Sequence, residues 1–253
     1  HTRYGTVTGV QTCALPILET NQEKYMAHPR YSKERIAKTI DHSLLKPEMT
    51  RDEVRSGCEI AKKYSVAAVC CKPSDVKFCA EILRGSDVEI GTVVGFPHGS
   101  STTETKVFET QQAILDGATE IDMVINIGKL KSGLFEEVKF DIASVVEAAN
   151  GKMVKVILEN AYLTNEEKVI ACKLTEEAGA QYVKTSSGYA PSGATIDDVK
   201  LMKSSISSHM KVKSAGGVRT LDALIEMLDA GVERSGATTT STMIEDYVER
   251  FGD

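Results

Sequence analysis

Glu120-Ile121-Asp122-Met123-Val124-Ile125 is a short apolar run, half of it β-branched or aliphatic, interrupted by one carboxylate. After it the period changes: Leu134, Val138, Ile142 and Val146 recur every four residues, and a second short run follows over Lys155–Glu159. A two-residue period followed by one near 3.6 predicts a strand, then an amphipathic helix with one buried face, then a strand. Working outward, the same reading predicts strands over Ala37–Asp41, Val66–Cys71, Glu89–Gly95, Tyr182–Thr185, Lys211–Ser214 and Val232–Gly236, eight in all. Leu221, Leu224, Ile225 and Leu228 repeat the helical pattern between the last two. Asp116-Gly117-Ala118, Ala178-Gly179-Ala180 and Ala230-Gly231-Val232 each set a glycine where a helix should end, just ahead of a strand. Eight strand-helix units of this size, without a GxGxxG or GxxxxGK[ST] loop after an early strand, predict an α/β chain built as a single (β/α)8 barrel. An open doubly wound sheet is the alternative.

The composition narrows the partners. Of 253 residues, 30 are Lys or Arg and 36 are Asp or Glu, a formal net charge of −6, with no long block of one sign. That balance predicts no nucleic-acid footprint and no attraction to an anionic membrane. No apolar run approaches the roughly 18 residues that a membrane helix needs. Cys13, Cys58, Cys70, Cys71, Cys79 and Cys172 form no CxxC pair and no His-interleaved set, so neither a zinc site nor a secreted disulfide framework is expected, and the protein reads as cytoplasmic. The N-terminus differs in character. His1 to Ile17 lacks the features of a signal peptide, and Val7–Ile17 resembles the translation of a sequencing-adaptor oligonucleotide. The expectation is a non-native or disordered leader over residues 1–25, with the native chain starting near Met26 and a barrel over 26–253.

In a (β/α)8 barrel the chemistry lies at the C-terminal ends of the strands. There the sequence carries Asp41 and His42, Asp122, Lys184 with Thr185, and Lys213 with Ser214. By alternation Lys211 shares a face with Lys213, so the two cannot both be ordinary solvated lysines if that face points inward. A lysine inside a strand must be paired or hold a lowered pKa, and the second condition is what a nucleophilic amine requires. Lys184, Lys213 and Asp122 form a plausible cluster in which one cation depresses the other and the carboxylate handles protons. The alternative is a buried Lys–Asp ion pair that fixes the barrel. Ser214-Ala215-Gly216-Gly217-Val218-Arg219 and Ser235-Gly236-Ala237-Thr238-Thr239-Thr240 follow the last two strands, where barrels bind phosphate on backbone N–H groups. The alternative there is a pair of tight turns and caps. Cys70 and Cys71 read as small buried hydrophobes, His42 and His98 are not at ligand spacing, and Lys106 and Arg51 read as solvated surface.

Five motifs now make a specific resemblance. Ile40-Asp41-His42-Ser43-Leu44-Leu45-Lys46-Pro47, Gly95-Phe96-Pro97-His98-Gly99, Glu120 to Asn126, Val183-Lys184-Thr185-Ser186-Ser187-Gly188 and Lys213 to Arg219 resemble, in order, the motif set of the deoxyribose-phosphate aldolase family, from about residue 33 to the C-terminus. The resemblance implies a class I (Schiff-base) aldolase on a TIM barrel, cleaving 2-deoxy-D-ribose 5-phosphate to D-glyceraldehyde 3-phosphate and acetaldehyde, with no cofactor and no metal. It implies that Lys184 is the imine lysine, Lys213 the neighbouring lysine of the proton relay and Asp122 the relay aspartate, working through a water. Asp41 and Thr185 match polar positions of the pocket; Gly188, Gly216, Gly217, Gly236, Thr238 and Thr239 match the phosphate cradle. The implied partners are a phosphorylated sugar and aldehydes, with a homodimer as one assembly open to the family. Three positions depart from the pattern: Lys72 stands where Asn is common, Tyr189 where some members carry Lys, and the chain ends at Asp253 without a longer tail bearing a terminal Tyr. A different phosphate-binding barrel, such as an isomerase or a transaldolase-like enzyme, and a non-catalytic sugar-phosphate-binding barrel are the competing readings.

Overall fold

Eight parallel strands pair in chain order from β1 to β8, and β8 pairs back onto β1 to close the barrel. The computed structural model describes residues 30–253; the expectations for residues 1–25, for a start near Met26 and for Cys13 lie outside that range. The strands are β1 Ile40–Leu44, β2 Ala68–Cys71, β3 Glu89–Val94, β4 Glu120–Val124, β5 Met153–Ile157, β6 Tyr182–Lys184, β7 Lys211–Ala215 and β8 Arg234–Ala237. A short helix α1, Lys33–Ala37, precedes β1. Between strands run α2 Arg51–Lys63, α3 Val76–Leu83, α4 Thr103–Leu115, α5 Ile127–Lys131 with α6 Phe135–Ala148, α7 Asn165–Glu177, α8 Ile196–Ser204 and α9 Leu221–Asp229; α10, Thr240–Phe251, ends the chain. This is the expected (β/α)8 barrel, and residues 31–253 form one compact unit.

Alternation along each strand sorts the residues into two cores. Ile121, Met123, Val154, Val156, Val183 and Val212 pack in the layer between barrel and helices, while Asp122, Lys155, Lys184 and Lys213 point the other way, into the barrel. Helix ends follow the sequence signals: Gly117, Gly179 and Gly231 have φ of 110°, 85° and 104°, the left-handed stop that lets the chain turn into the next strand. Thr50 with Glu53, and Thr164 with Glu167, close capping boxes at the starts of α2 and α7.

Most strand ends move by one to three residues from expectation, and two of the shifts and one stripe have a clear local cause. Strand β1 starts at Ile40, not Ala37, because Ser32 caps a helical turn that buries Ile36 and Ala37 first. Strand β5 ends at Ile157, since Glu159 swings to φ 59°, ψ 63° and leaves the ladder. On α6 the buried stripe is Val138, Ile142 and Val145, with Leu134 left 44% exposed ahead of the first turn.

Candidate active site

The barrel interior at mid-height is a ring of charges. Asp122 on β4 is fully buried; its Oδ2 accepts from Lys184 Nζ at 2.7 Å and Lys213 Nζ at 2.6 Å, and its Oδ1 from Lys155 Nζ at 3.0 Å. Strand register makes this meeting: Asp122 lies beside Lys155, and Lys184 beside Lys213. Lys155 also donates to Glu120 Oε2 at 2.6 Å. Asp41 on β1 pairs with Lys213 and accepts from Arg234 Nε at 2.6 Å, and the Arg234 guanidinium continues to Glu120 at 2.9 Å. Three carboxylates, Asp41, Glu120 and Asp122, thus face four cations, Lys155, Lys184, Lys213 and Arg234. If one cation gives up its proton, the ring is neutral.

The contacts single out which. Burial, joined by the like charge of Lys213, holds Lys184 below the usual lysine range against the pull of Asp122. Lys213 goes the other way: burial works against its charge, but Asp122 and Asp41 outweigh it and raise its pKa above the ordinary value. Lys155 is likewise raised, with burial opposed chiefly by Asp122 and then by Glu120 and Asp41. Of the three inward lysines, Lys184 alone touches a single carboxylate, and it is the one with the lowered pKa. On Asp41 burial is overcome by Lys213, Arg234 and Lys155, which lower its carboxyl to about 2.

Above the ring opens a cavity of about 510 Å³. Lys184, Lys213, Asp41 and Cys70 line its floor, and Gly188, Gly216, Gly217, Gly236 and Thr238 line its wall, so nine residues quoted for the site or its strands face one space. Gly216 and Gly217 adopt φ of 78° and 90°, and Gly193 crosses Gly216 so closely that a Cβ there would overlap the Gly216 carbonyl. Nothing lies within 4 Å of a Cβ built on Gly217, so this turn presents open backbone. Helix α10 starts beside it with no side-chain cap, which leaves its first N–H groups for an anion.

Three predicted residues sit elsewhere. Asp122 lies beneath the lysines rather than on the cavity surface. The Thr185 hydroxyl is turned between strands, accepting from Ala215 N–H at 3.1 Å, and Thr239 Oγ donates to Arg219 O at 2.8 Å; neither lines the cavity. Lys211, at the start of β7, is exposed, so sharing a face with Lys213 does not bring it into the barrel: it lies at the opposite mouth, its ammonium 5.7 Å from the Tyr182 ring. Lys106 is not solvated surface but fully buried, bonded to Asp141 at 2.5 Å and Val124 O at 3.0 Å. Lys72 braces the loop after β1, donating to Met49 O at 3.1 Å. His42, burial-lowered to about 4, bonds Thr240 Oγ at 2.8 Å on the helix side.

The sequence reading missed Lys155, Glu120 and Arg234 of the ring, and Lys46 and Arg219 of the cavity wall. A signal existed for the first two: Lys155 is a charge inside a valine-rich strand, and Glu120 is two residues from Asp122 on the same face. A second depression of about 550 Å³ between α4 and α6 offers one lysine, Lys129, already paired with Glu137 at 2.8 Å.

Comparison with known proteins agrees with this geometry. Residues 35–246 match the family model described as DeoC/LacD family aldolase. The chain is 54% identical over 209 residues to the deoxyribose-phosphate aldolase of Staphylococcus saprophyticus, an alignment covering 83% of this chain and 95% of that protein. It is 51% identical over 210 residues to that of Bacillus mycoides, covering 83% and 94%. Among solved structures, one from Coccidioides immitis superposes with a TM-score of 0.84 at 37% identity, covering 87% of this chain and 88% of that one. A tetrameric deoxyribose phosphate aldolase from Aeropyrum pernix gives 0.78 at 28% identity, covering 85% and 92%.

Proposed function

The chain belongs to the DeoC/LacD family of aldolases, and we propose that it cleaves 2-deoxy-D-ribose 5-phosphate to D-glyceraldehyde 3-phosphate and acetaldehyde through an imine on Lys184. The observation that carries the assignment is the single-carboxylate environment of Lys184 at the floor of the cavity, between a cation and a shared aspartate. A neutral Lys184 amine adds to the C1 aldehyde of the open sugar, and loss of water leaves a protonated imine. That iminium accepts the electron pair of the C2–C3 bond as the C3 hydroxyl gives up its proton; the phosphorylated aldehyde departs and an enamine remains. Protonation of the enamine carbon and addition of water then release acetaldehyde and restore the amine.

The ring performs two tasks in this sequence. Lys213, kept charged by Asp122 and Asp41, withholds a proton from Lys184 before attack and stands 2.6 Å from the same Asp122 oxygen that receives Lys184 at 2.7 Å, a short path for protons. Asp41 and Arg234 hold that arrangement from β1 and β8. The phosphate would lie toward Gly216, Gly217, Thr238 and the start of α10, with Lys46 and Arg219 adding positive charge. We place Gly188 and Gly236 on the same wall, and leave Thr185 and Thr239 as bracing groups. A cytoplasmic location is supported by five free cysteines among the described residues and by no described helix long and apolar enough to cross a membrane. A homo-oligomer is supported by the tetramer reported for the Aeropyrum pernix protein, and light scattering tests it.

The deciding experiment is borohydride reduction with acetaldehyde, followed by peptide mapping. An adduct on Lys184 is the expected result; an adduct on Lys213 instead, or none from folded protein, overturns the assignment.

A further inference from the structure

We propose that Glu159 is a positioning residue for the substrate end of the site: its buried carboxylate fixes the turn after the Lys184 strand and, through that turn, the rim of the cavity. Glu159 is 2% exposed and takes a left-handed backbone, φ 59° and ψ 63°, which non-glycine residues rarely adopt. The ladder continues on both sides of it. Leu158 N–H donates to Lys184 O and Asn160 N–H to Thr185 O, each at 2.9 Å, so the kink redirects one side chain without parting β5 from β6.

That side chain reaches Ser187. The Ser187 N–H donates to Glu159 Oε1 at 3.1 Å and its hydroxyl donates to Oε2. Ser187 Oγ in turn accepts from Tyr189 N–H at 3.0 Å. The Tyr189 hydroxyl donates to Leu45 O at 2.8 Å, and its ring meets Phe96 edge-on with centroids 5.4 Å apart. One carboxylate therefore governs a chain of contacts that joins the loops after β5, β6, β1 and β3 around the cavity. Leu45, Ser187 and Tyr189 all line it, and Lys46 follows Leu45 directly. None of these groups touches Lys184 Nζ, so the contribution is to where the far end of the sugar phosphate rests, not to the amine.

The inference rests on Lys184 as the imine lysine, and the test separates the two. Acetaldehyde has no phosphate, so borohydride trapping on Lys184 reads the amine alone, while KM for the sugar phosphate reads the rim. For Glu159→Ala, KM should rise about tenfold or more with kcat within about threefold of wild type and the trapping rate unchanged. Glu159→Gln, which keeps an acceptor for the Ser187 N–H, should recover most of the loss. Tyr189→Phe, which cuts only the Leu45 link, should raise KM by about threefold. If Glu159→Ala does not fold, Ser187→Ala carries the test, with the same KM-specific pattern in weaker form. An unchanged KM in the folded variants, or trapping and KM failing together, overturns the role of Glu159. A wild-type chain that traps nothing on Lys184 overturns the amine assignment instead.

Discussion

Two of the fully enclosed lysine–aspartate contacts among the described residues, Lys106–Asp141 and Lys184–Asp122, differ in their surroundings. Lys106 on α4 meets Asp141 on α6 outside the barrel wall, one cation to one carboxylate, with Val124 O completing its shell. Lys184 meets Asp122 inside the barrel, where a second lysine claims the same carboxylate oxygen and a cavity opens above. Burial lowers the pKa of both amines. The difference is therefore not burial. It is that Lys106, itself fully enclosed, meets a carboxylate shared only with the Thr103 hydroxyl and with no second cation, whereas Lys184 shares one with a cation that holds it more firmly and lines the floor of a cavity. A lowered amine is a functional signal only with a competitor and an entrance.

Substitution can break that contrast, and the largest effect should come at Lys184. Lys184→Ala should lose at least about a thousandfold in cleavage rate and all borohydride-trapped adduct, measured on protein whose melting is near wild type. Lys213→Leu removes the competitor. Its kcat should fall about a hundredfold, and the acid limb of the pH–rate profile should move to higher pH, because without the neighbouring cation Lys184 holds its proton longer. An unshifted acid limb would mean that Lys213 does not tune the amine.

On the structural side, Lys106→Met strands Asp141 and should cost about 3–5 kcal/mol in chemical denaturation, while kcat below the melting range stays as in wild type. The charge ring should also show in acid. Asp41 has a depressed carboxyl, about 2 against 3.8, so the stability it contributes is complete above the unfolded value and is lost as pH falls through the folded one. About 2 kcal/mol should disappear between pH 4 and 2, and Asp41→Asn should flatten that part of the curve. Smallest is the joint change Lys106→Met with Asp141→Leu. An apolar pair in place of a buried ion pair should return stability to within about 1 kcal/mol of wild type, and failure to do so would give the α4–α6 pair a role beyond packing.

The barrel was legible because each unit repeats the same two periods and the same glycine stop, so that an error at one boundary, as at Ala37, leaves the count intact. The cluster of Lys184, Lys213 and Asp122 was legible for a different reason: these are charges inside apolar strands, where local propensity offers them no use. Lys106 misled because a lysine between polar helix residues reads as solvent-facing, and only the packing of α4 on α6 shows otherwise. Lys211 misled because alternation states which face a residue takes but not how far along the barrel axis it lies. Thr185 and Thr239 sit next to the cavity in sequence, yet their hydroxyls are satisfied by Ala215 and Arg219, and no pattern in one dimension reveals a hydrogen bond of that kind. Glu159 was hidden for a similar reason, since its reach to Ser187 depends on a left-handed backbone that its residue type does not announce.

The ring of charges draws on six strands, and its members include Asp41 near the beginning of the described chain and Arg234 near its end. Lys184 is thus made early and finished late. Lys155 on β5 already holds the other Asp122 oxygen, but until β7 brings Lys213 and β8 brings Arg234 the Lys184 amine has no rival for Oδ2 and lacks the like charge that helps to lower it. A nascent or truncated chain would consequently be harmless toward cellular aldehydes, and the appearance of a reactive amine would serve as a clock for the moment at which the barrel shuts.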